Sequence, residues 1–219
     1  MRDYNFCPGP CILPESVMEQ ARDEMMNWRG TGTSVNEMNH RGPEFDSIAK
    51  EAEADIRELL EIPNNFEVFF LQGGATNQYA AVAMNLLDGH KGANYLTTGY
   101  WGDQCIGEAA KWSMPNDVDN GFARASSWKD LSDPSTWRID KTAPYFVYVE
   151  NETANGFEFN DFPFEVIPKS MTLVADMSSN IASKPIDWSK YGVVYAGAQK
   201  NLGPSGVTIL VVRKDLIGK

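Results

Sequence analysis

Lys200 stands where a lysine needs explaining. It follows Gly192-Val193-Val194-Tyr195-Ala196, a short apolar run with little polar alternation, and precedes a turn punctuated by Gly203, Pro204 and Gly206. Such a run suits a strand buried on both faces of a parallel sheet. An amine at its end can sit in solvent, as most lysines do, or act as a nucleophile able to form an imine. Asp176 closes a second apolar run, "TLVAD" (172–176). It either turns the chain or is a buried carboxylate in need of a cationic partner. A protonated heterocycle nitrogen would be such a partner and would leave Lys200 free to react. "QGGATNQ" (72–78) opens a helix with glycines, so unpaired N–H groups and the helix dipole converge on a spot suited to an anion. It lacks the Gly-Lys-Ser/Thr of a Walker loop and the spacing G-x-G-x-x-G, so a single phosphate fits it better than a nucleotide, and a plain helix start explains it equally well. Trp101, after "TTGY", offers a flat face for stacking or is a core tryptophan. A phosphate anchor, an acid for a ring nitrogen and an imine-forming lysine together meet the needs of pyridoxal phosphate.

The elements that must position these groups are readable from pattern. Apolar residues at helical spacing predict helices over 15–28 and 44–62, the second stopped by Pro63, with a glycine-rich polar loop at 30–42 between them. Strands are expected at 68–72, 93–99, 145–151, 172–176, 192–198 and 207–213, and helices at 73–87 and 101–113. Residues 115–143 read as a short strand plus loops. Alternating strands and helices argue for a mainly parallel α/β sheet covered on both faces. In such sheets ligands bind outside the carboxyl ends of the strands. Gly73-Gly74-Ala75-Thr76, Thr153, Asp176 and Gln199-Lys200 all fall at such ends.

Composition narrows the class. The chain of 219 residues is 42% hydrophobic and 22% charged, ordinary for a globular protein with a substantial core. A formal charge of −11 without a basic tract disfavours nucleic acid. No apolar run is long enough to span a membrane, and the polar opening Met1-Arg2-Asp3-Tyr4-Asn5 has no signal-peptide core. Three cysteines, Cys7, Cys11 and Cys105, suggest free thiols in a reducing cytoplasm and no metal site. Cys7 and Cys11 merely flank the turn Pro8-Gly9-Pro10.

The strings "NFCPGPCILP", "GTGTSVNEMNHRG", "FFLQGGATNQYAAV", "GYWG", "ENETANG", "ADMSSNIASKPIDWSKYGVVYAGAQKNLGPSG" and "VVRKDLIG" resemble, in order and spacing, the phosphoserine aminotransferases, class V members of the fold-type-I pyridoxal-phosphate enzymes. The resemblance spans essentially the whole chain and is most specific over 175–206. Cysteine desulfurases of the same fold fit less well, since they carry a histidine where this chain has Gln199. The resemblance implies a large domain with a seven-stranded, mainly parallel sheet in which "VTILVVR" is antiparallel. It implies an N-terminal segment (1–14), a cofactor-binding large domain (15–219), and a C-terminal small domain absent from this chain. It further implies that Lys200 carries pyridoxal 5'-phosphate as a Schiff base and that Asp176 pairs with the pyridine nitrogen. Trp101 would stack on the ring, Thr153 would bond the ring hydroxyl, and Ala75, Thr76 and Gln199 would take the phosphate. His40 and Arg41 would meet an anionic substrate end, for which a planar guanidinium is suited. The implied reaction moves the amino group of L-glutamate to 3-phosphohydroxypyruvate, giving O-phospho-L-serine and 2-oxoglutarate in serine biosynthesis, in a cytoplasmic homodimer. The alternative is a shortened, catalytically impaired chain that only binds cofactor or a partner subunit. Ala75 departs from the family's common third glycine; its amide remains, but with less room for close approach.

Overall fold

The computed structural model describes residues 3–7, 9–128 and 130–218. The chain opens with helices α1 (Glu15–Glu24) and α2 (Pro43–Leu59), then alternates: β1 (Phe66–Leu71), α3 (Gly74–Leu86), β2 (Asn94–Leu96), α4 (Tyr100–Ala109) and β3 (Asn116–Asp117). A short α5 (Phe122–Ala125), β4 (Tyr145–Val149) and the small hairpin β5 (Asn151–Glu152) and β6 (Phe157–Glu158) follow. β7 (Thr172–Asp176), β8 (Val193–Gly197) and β9 (Thr208–Arg213) complete the frame. Seven strands form one sheet in the order β1-β9-β8-β7-β4-β2-β3. β9 lies antiparallel to both β1 and β8, and the remaining pairs are parallel. The expected architecture, including the antiparallel "VTILVVR", is therefore present.

Side-chain alternation explains why the central strands look uniformly apolar. Every residue of β4 and of β8 is buried. Tyr145 and Val147 face one layer with Val174, Val193 and Tyr195, against Tyr79, Val82 and Ala83 of α3 and Cys105 and Ala109 of α4. Phe146 and Tyr148 face the opposite layer with Leu173, Ala175, Val194 and Ala196. That layer is covered by the end of α2, through Ile56 and Leu60, and by aromatic side chains such as Phe159, Phe162, Trp188 and Tyr191 from irregular chain. A parallel strand covered on both sides gains from apolar residues at every position, which is the pattern the sequence carries.

Several boundaries differ from expectation. The helix expected over 15–28 ends at Glu24 and buries none of its residues. The helix expected over 44–62 ends at Leu59, and Glu61 then turns the chain with φ 51°, ahead of Pro63. The strand expected over 93–99 pairs only at Asn94–Leu96, because the chain leaves the sheet at Thr97 to begin α4. The hairpin of β5 and β6 turns at Gly156, φ 72°, and is too short to show alternation in sequence. In the 30–42 loop Ser34 and Glu37 form a reciprocal capping box on a single helical turn. Cys7 and Cys11 are exposed and unpaired, and Cys105 is buried and unpaired; the turn between the first two includes Pro8, outside the described residues. Among the described residues no helix is long and apolar enough to cross a membrane.

Candidate functional site

Four strands deliver chemistry to one place. Just beyond β1 come Gly73 and Gly74, whose φ angles of 91° and 66° lie in the left-handed region that glycine enters without strain. A Cβ on Gly73 would come within 2.2 Å of the Asn77 side chain. α3 begins there without a side-chain cap, so the N–H groups of its first turn are unpaired within the helix. Beyond β4 comes Thr153, beyond β8 the turn with Gln199 and Lys200, and β7 ends on Asp176 itself. Ala75, Thr76, Trp101, Asp176, Gln199 and Lys200 line one cavity of about 110 Å³.

Asp176 is 3% exposed. Its Oδ1 accepts from the Ser178 amide (2.9 Å) and hydroxyl (2.6 Å), and its Oδ2 from the Tyr79 hydroxyl (3.3 Å). Burial pushes its carboxyl above the ordinary carboxylate range, against the pull of Ser178, Lys200 and Tyr79. Ser178 is itself held, since its hydroxyl accepts the Gly197 amide at 3.0 Å. The carboxyl group is thus held in place in the cavity lining by three donors, with no direct bond from the lysine.

Lys200 is half-buried, and its Nζ donates to Thr153 Oγ1 at 2.6 Å. The indole Nε1 of Trp101 donates to the same oxygen at 3.0 Å, and the ammonium lies 4.8 Å from the centroid of that ring. Thr153 therefore uses both lone pairs as acceptor and keeps its own proton free to donate. Burial lowers the Lys200 ammonium from the ordinary lysine range, although Asp176 and Glu152 draw it upward. The backbone of the turn is anchored to the N-terminal segment by the Cys11 amide, which donates to the Gln199 carbonyl at 3.0 Å.

His40 and Arg41 are not brought to this cavity. Both are exposed and neither lines it; the Arg41 amide is tied to Asn39 Oδ1 at 3.0 Å. A larger cavity of about 180 Å³ opens elsewhere, with Lys184 in its lining. That amine is already engaged by Glu150 at 2.7 Å and by the Phe159 carbonyl at 3.0 Å, so size does not select the reactive site. Sequence reasoning missed Tyr79, Ser178 and the buried Glu152. The available signals were Ser178 two residues after Asp176, and Gly99 and Gly102 bracketing Trp101, because small residues beside an aromatic mark a close approach.

The class of protein follows from a sheet whose strand ends present a free helix start, a buried carboxylate and a lysine under an indole. Residues 3–219 match the family model of aminotransferase class-V, and the chain belongs to that family. It is 50% identical over 219 residues to phosphoserine aminotransferase 1, chloroplastic, of Arabidopsis thaliana, covering 99% of this chain and 49% of that protein. Among solved structures it is similar to the phosphoserine aminotransferase of Bacillus circulans subsp. alkalophilus, with a TM-score of 0.92, 40% identity and coverage of 100% of this chain and 59% of that one. It is also similar to the pyridoxal-phosphate-bound phosphoserine aminotransferase of Trichomonas vaginalis, with a TM-score of 0.89, 36% identity and coverage of 100% and 60%. The chain thus spans about half the length of the Arabidopsis relative and about three fifths of the two solved chains.

Proposed function

We propose that this chain is the cofactor-binding portion of a phosphoserine aminotransferase, which transfers the amino group of L-glutamate to 3-phosphohydroxypyruvate and yields O-phospho-L-serine and 2-oxoglutarate. The observation that carries this reading is the meeting of Lys200, Asp176, Trp101 and the open α3 N-terminus around one cavity. The likeness to proteins named phosphoserine aminotransferase favours it over a merely cofactor-binding remnant.

The residues fit pyridoxal phosphate on the donor chemistry of the cavity. Ala75 and Thr76 offer amides at the helix start for the phosphate, with Gln199 beside them. Asp176 supplies fixed negative charge for a protonated pyridine nitrogen. Trp101 gives the ring a flat face, and the spare Thr153 proton suits a ring oxygen. When bound, this cofactor supplies an electron sink for the substrate Cα–H bond. Lys200, with its proton affinity lowered by burial, is the base that takes that proton and returns it.

His40 and Arg41 serve the anionic end of glutamate or phosphoserine. Since both lie exposed and outside the cavity, that role needs a second copy of the chain or a displaced loop. A homodimer is the reading we favour, and three unpaired cysteines agree with a reducing cytoplasm. No role is assigned to nucleic acid, metal or membrane.

Borohydride reduction in the presence of pyridoxal phosphate, followed by peptide mass spectrometry, tests the central assignment. The label is expected on Lys200 and at no other lysine, and Lys200→Ala should lose it while keeping its circular dichroism. Specific labelling of a different lysine would overturn the assignment.

A further inference from the structure

Glu152 closes β5 with no measurable exposure. A buried carboxylate demands donors, and Glu152 finds them in the backbone of a distant helix. Its Oε2 accepts the Trp101 amide and its Oε1 the Gly102 amide, each at 2.8 Å. Three residues later Asn155 Oδ1 accepts the Tyr100 amide at 2.7 Å. These are the N–H groups of the first turn of α4, whose preceding residue, Gly99, has no side chain to cap it.

The approach is close by construction. A Cβ on Gly99 would lie 2.5 Å from Glu152 Cδ, and a Cβ on Gly102 would lie 3.0 Å from Oε1. Two glycines therefore admit one side chain. The same short segment reaches the other end of the indole, because Thr153, the next residue, accepts Trp101 Nε1 and also Lys200 Nζ. Residues 152–155 thus hold Trp101 by its backbone and by its ring, with the reactive amine on the same threonine.

We propose that Glu152 is a positioning residue: its carboxylate clasps the first turn of α4, sets the Trp101 ring over Lys200, and releases that hold when protonated. The structural part stands on the chain alone; only its consequence for a bound ring rests on the function proposed above. The titratable and charged groups facing Glu152 are Asp176 from β7, Lys200 from the turn after β8, Tyr79 from α3 and Cys105 from α4. Burial first, and Asp176 after it, push the Glu152 carboxyl from its ordinary 4.5 up to about 7, against the pull of the Gly102 and Trp101 amides and of Lys200. A carboxyl raised in this way favours the folded state most at low pH, and that contribution falls as pH rises from 4.5 to about 7. The clasp tightens over the same interval, as the anion forms.

Proton–nitrogen NMR of the chain without cofactor tests this, following the Trp101 and Gly102 amides and the Trp101 indole N–H through neutral pH. All three signals should titrate together with a midpoint near neutrality. In Glu152→Gln they should stay flat, and Asn155→Ala should keep the titration because the carboxylate remains. Should Glu152→Gln not fold, Gly102→Ala presses on the carboxylate without removing it and should displace the indole signal. Flat amides in the folded parent, an unchanged titration in Glu152→Gln, or an indole signal indifferent to both variants would overturn the proposal. With pyridoxal phosphate added, Glu152→Gln should alter the ellipticity of the visible band while Lys200 is still labelled. A parent that shows the titration but takes no label would sink the cofactor reading and leave the clasp standing.

Discussion

The N-terminal limb and the strand-end cluster are built from the same kind of sequence and end in opposite surroundings. In α1, Val17, Met18 and the following Met25 repeat at helical spacing, yet they are 49%, 44% and 49% exposed. Tyr4 and Phe6 project almost entirely into solvent. In the sheet, by contrast, Tyr145, Val174 and Tyr195 are fully buried, and even the charged Asp176 is nearly so. Periodicity tells which face of an element is apolar; it does not tell what covers that face. The sheet carries its own cover in α3, α4 and the aromatic layer. Among the described residues the limb has no such cover, and contiguous exposed apolar surface is a mark of an interaction site.

The widest contrast should appear on removing an aromatic from the covered layer. Tyr148 is 1% exposed, stacks on Phe162 at 4.0 Å between centroids, and shares a 2.9 Å hydroxyl bond with Tyr191. Tyr148→Ala leaves a cavity and an unpaired hydroxyl, and should cost about 3–5 kcal/mol in urea denaturation. A loss below about 1 kcal/mol would mean that this layer does not carry the fold.

Within the strand-end cluster the next effect is chemical. Asp176→Asn keeps the shape but removes the fixed charge. In protein that turns over, we expect about 10²–10³-fold less turnover with most of the cofactor retained. Near-normal rates in both half-reactions would refute the role given to Asp176. Tyr79→Phe is milder, since Ser178 still donates twice to Asp176. It should cost about 1 kcal/mol of stability and raise the Asp176 carboxyl further, because the lost hydroxyl was one of the groups holding it down.

The same contrast sets how much could be read in advance. Gly73-Gly74, Asp176 and Lys200 were legible because each is local chemistry: a turn residue or charge placed at the end of an apolar run. Glu152 was not, since its partners lie 50 and 51 residues away and its burial comes from the fold. Tyr79 reaches Asp176 across 97 residues, a separation that no local pattern in 73–87 signals. The mainly parallel sheet was anticipated from alternation, and its seven strands with an antiparallel β9 from the resemblance; the strand order β1-β9-β8-β7-β4-β2-β3 was not read from the sequence. The three-residue β2 was not, because Thr97 and Thr98 continue the strand-like pattern while the chain already turns toward α4.

The smallest effect on stability should come from the limb, and it sharpens the contrast most. Val17→Ser with Met18→Ser changes two side chains that α1 leaves about half exposed. Neither fills a cavity nor satisfies a buried group, so unfolding of the isolated chain should move by no more than about 0.5 kcal/mol per substitution. If the limb is instead one half of a contact between two copies, the same pair should weaken self-association. Sedimentation velocity over a concentration series would separate the cases. We expect the parent to self-associate and the double variant to do so at higher concentration, with both chains equally stable when dilute. A parent that stays monomeric throughout would remove the support that exposed α1 lends to a homodimer. A large stability loss in the dilute variant would show that α1 is covered by its own chain after all.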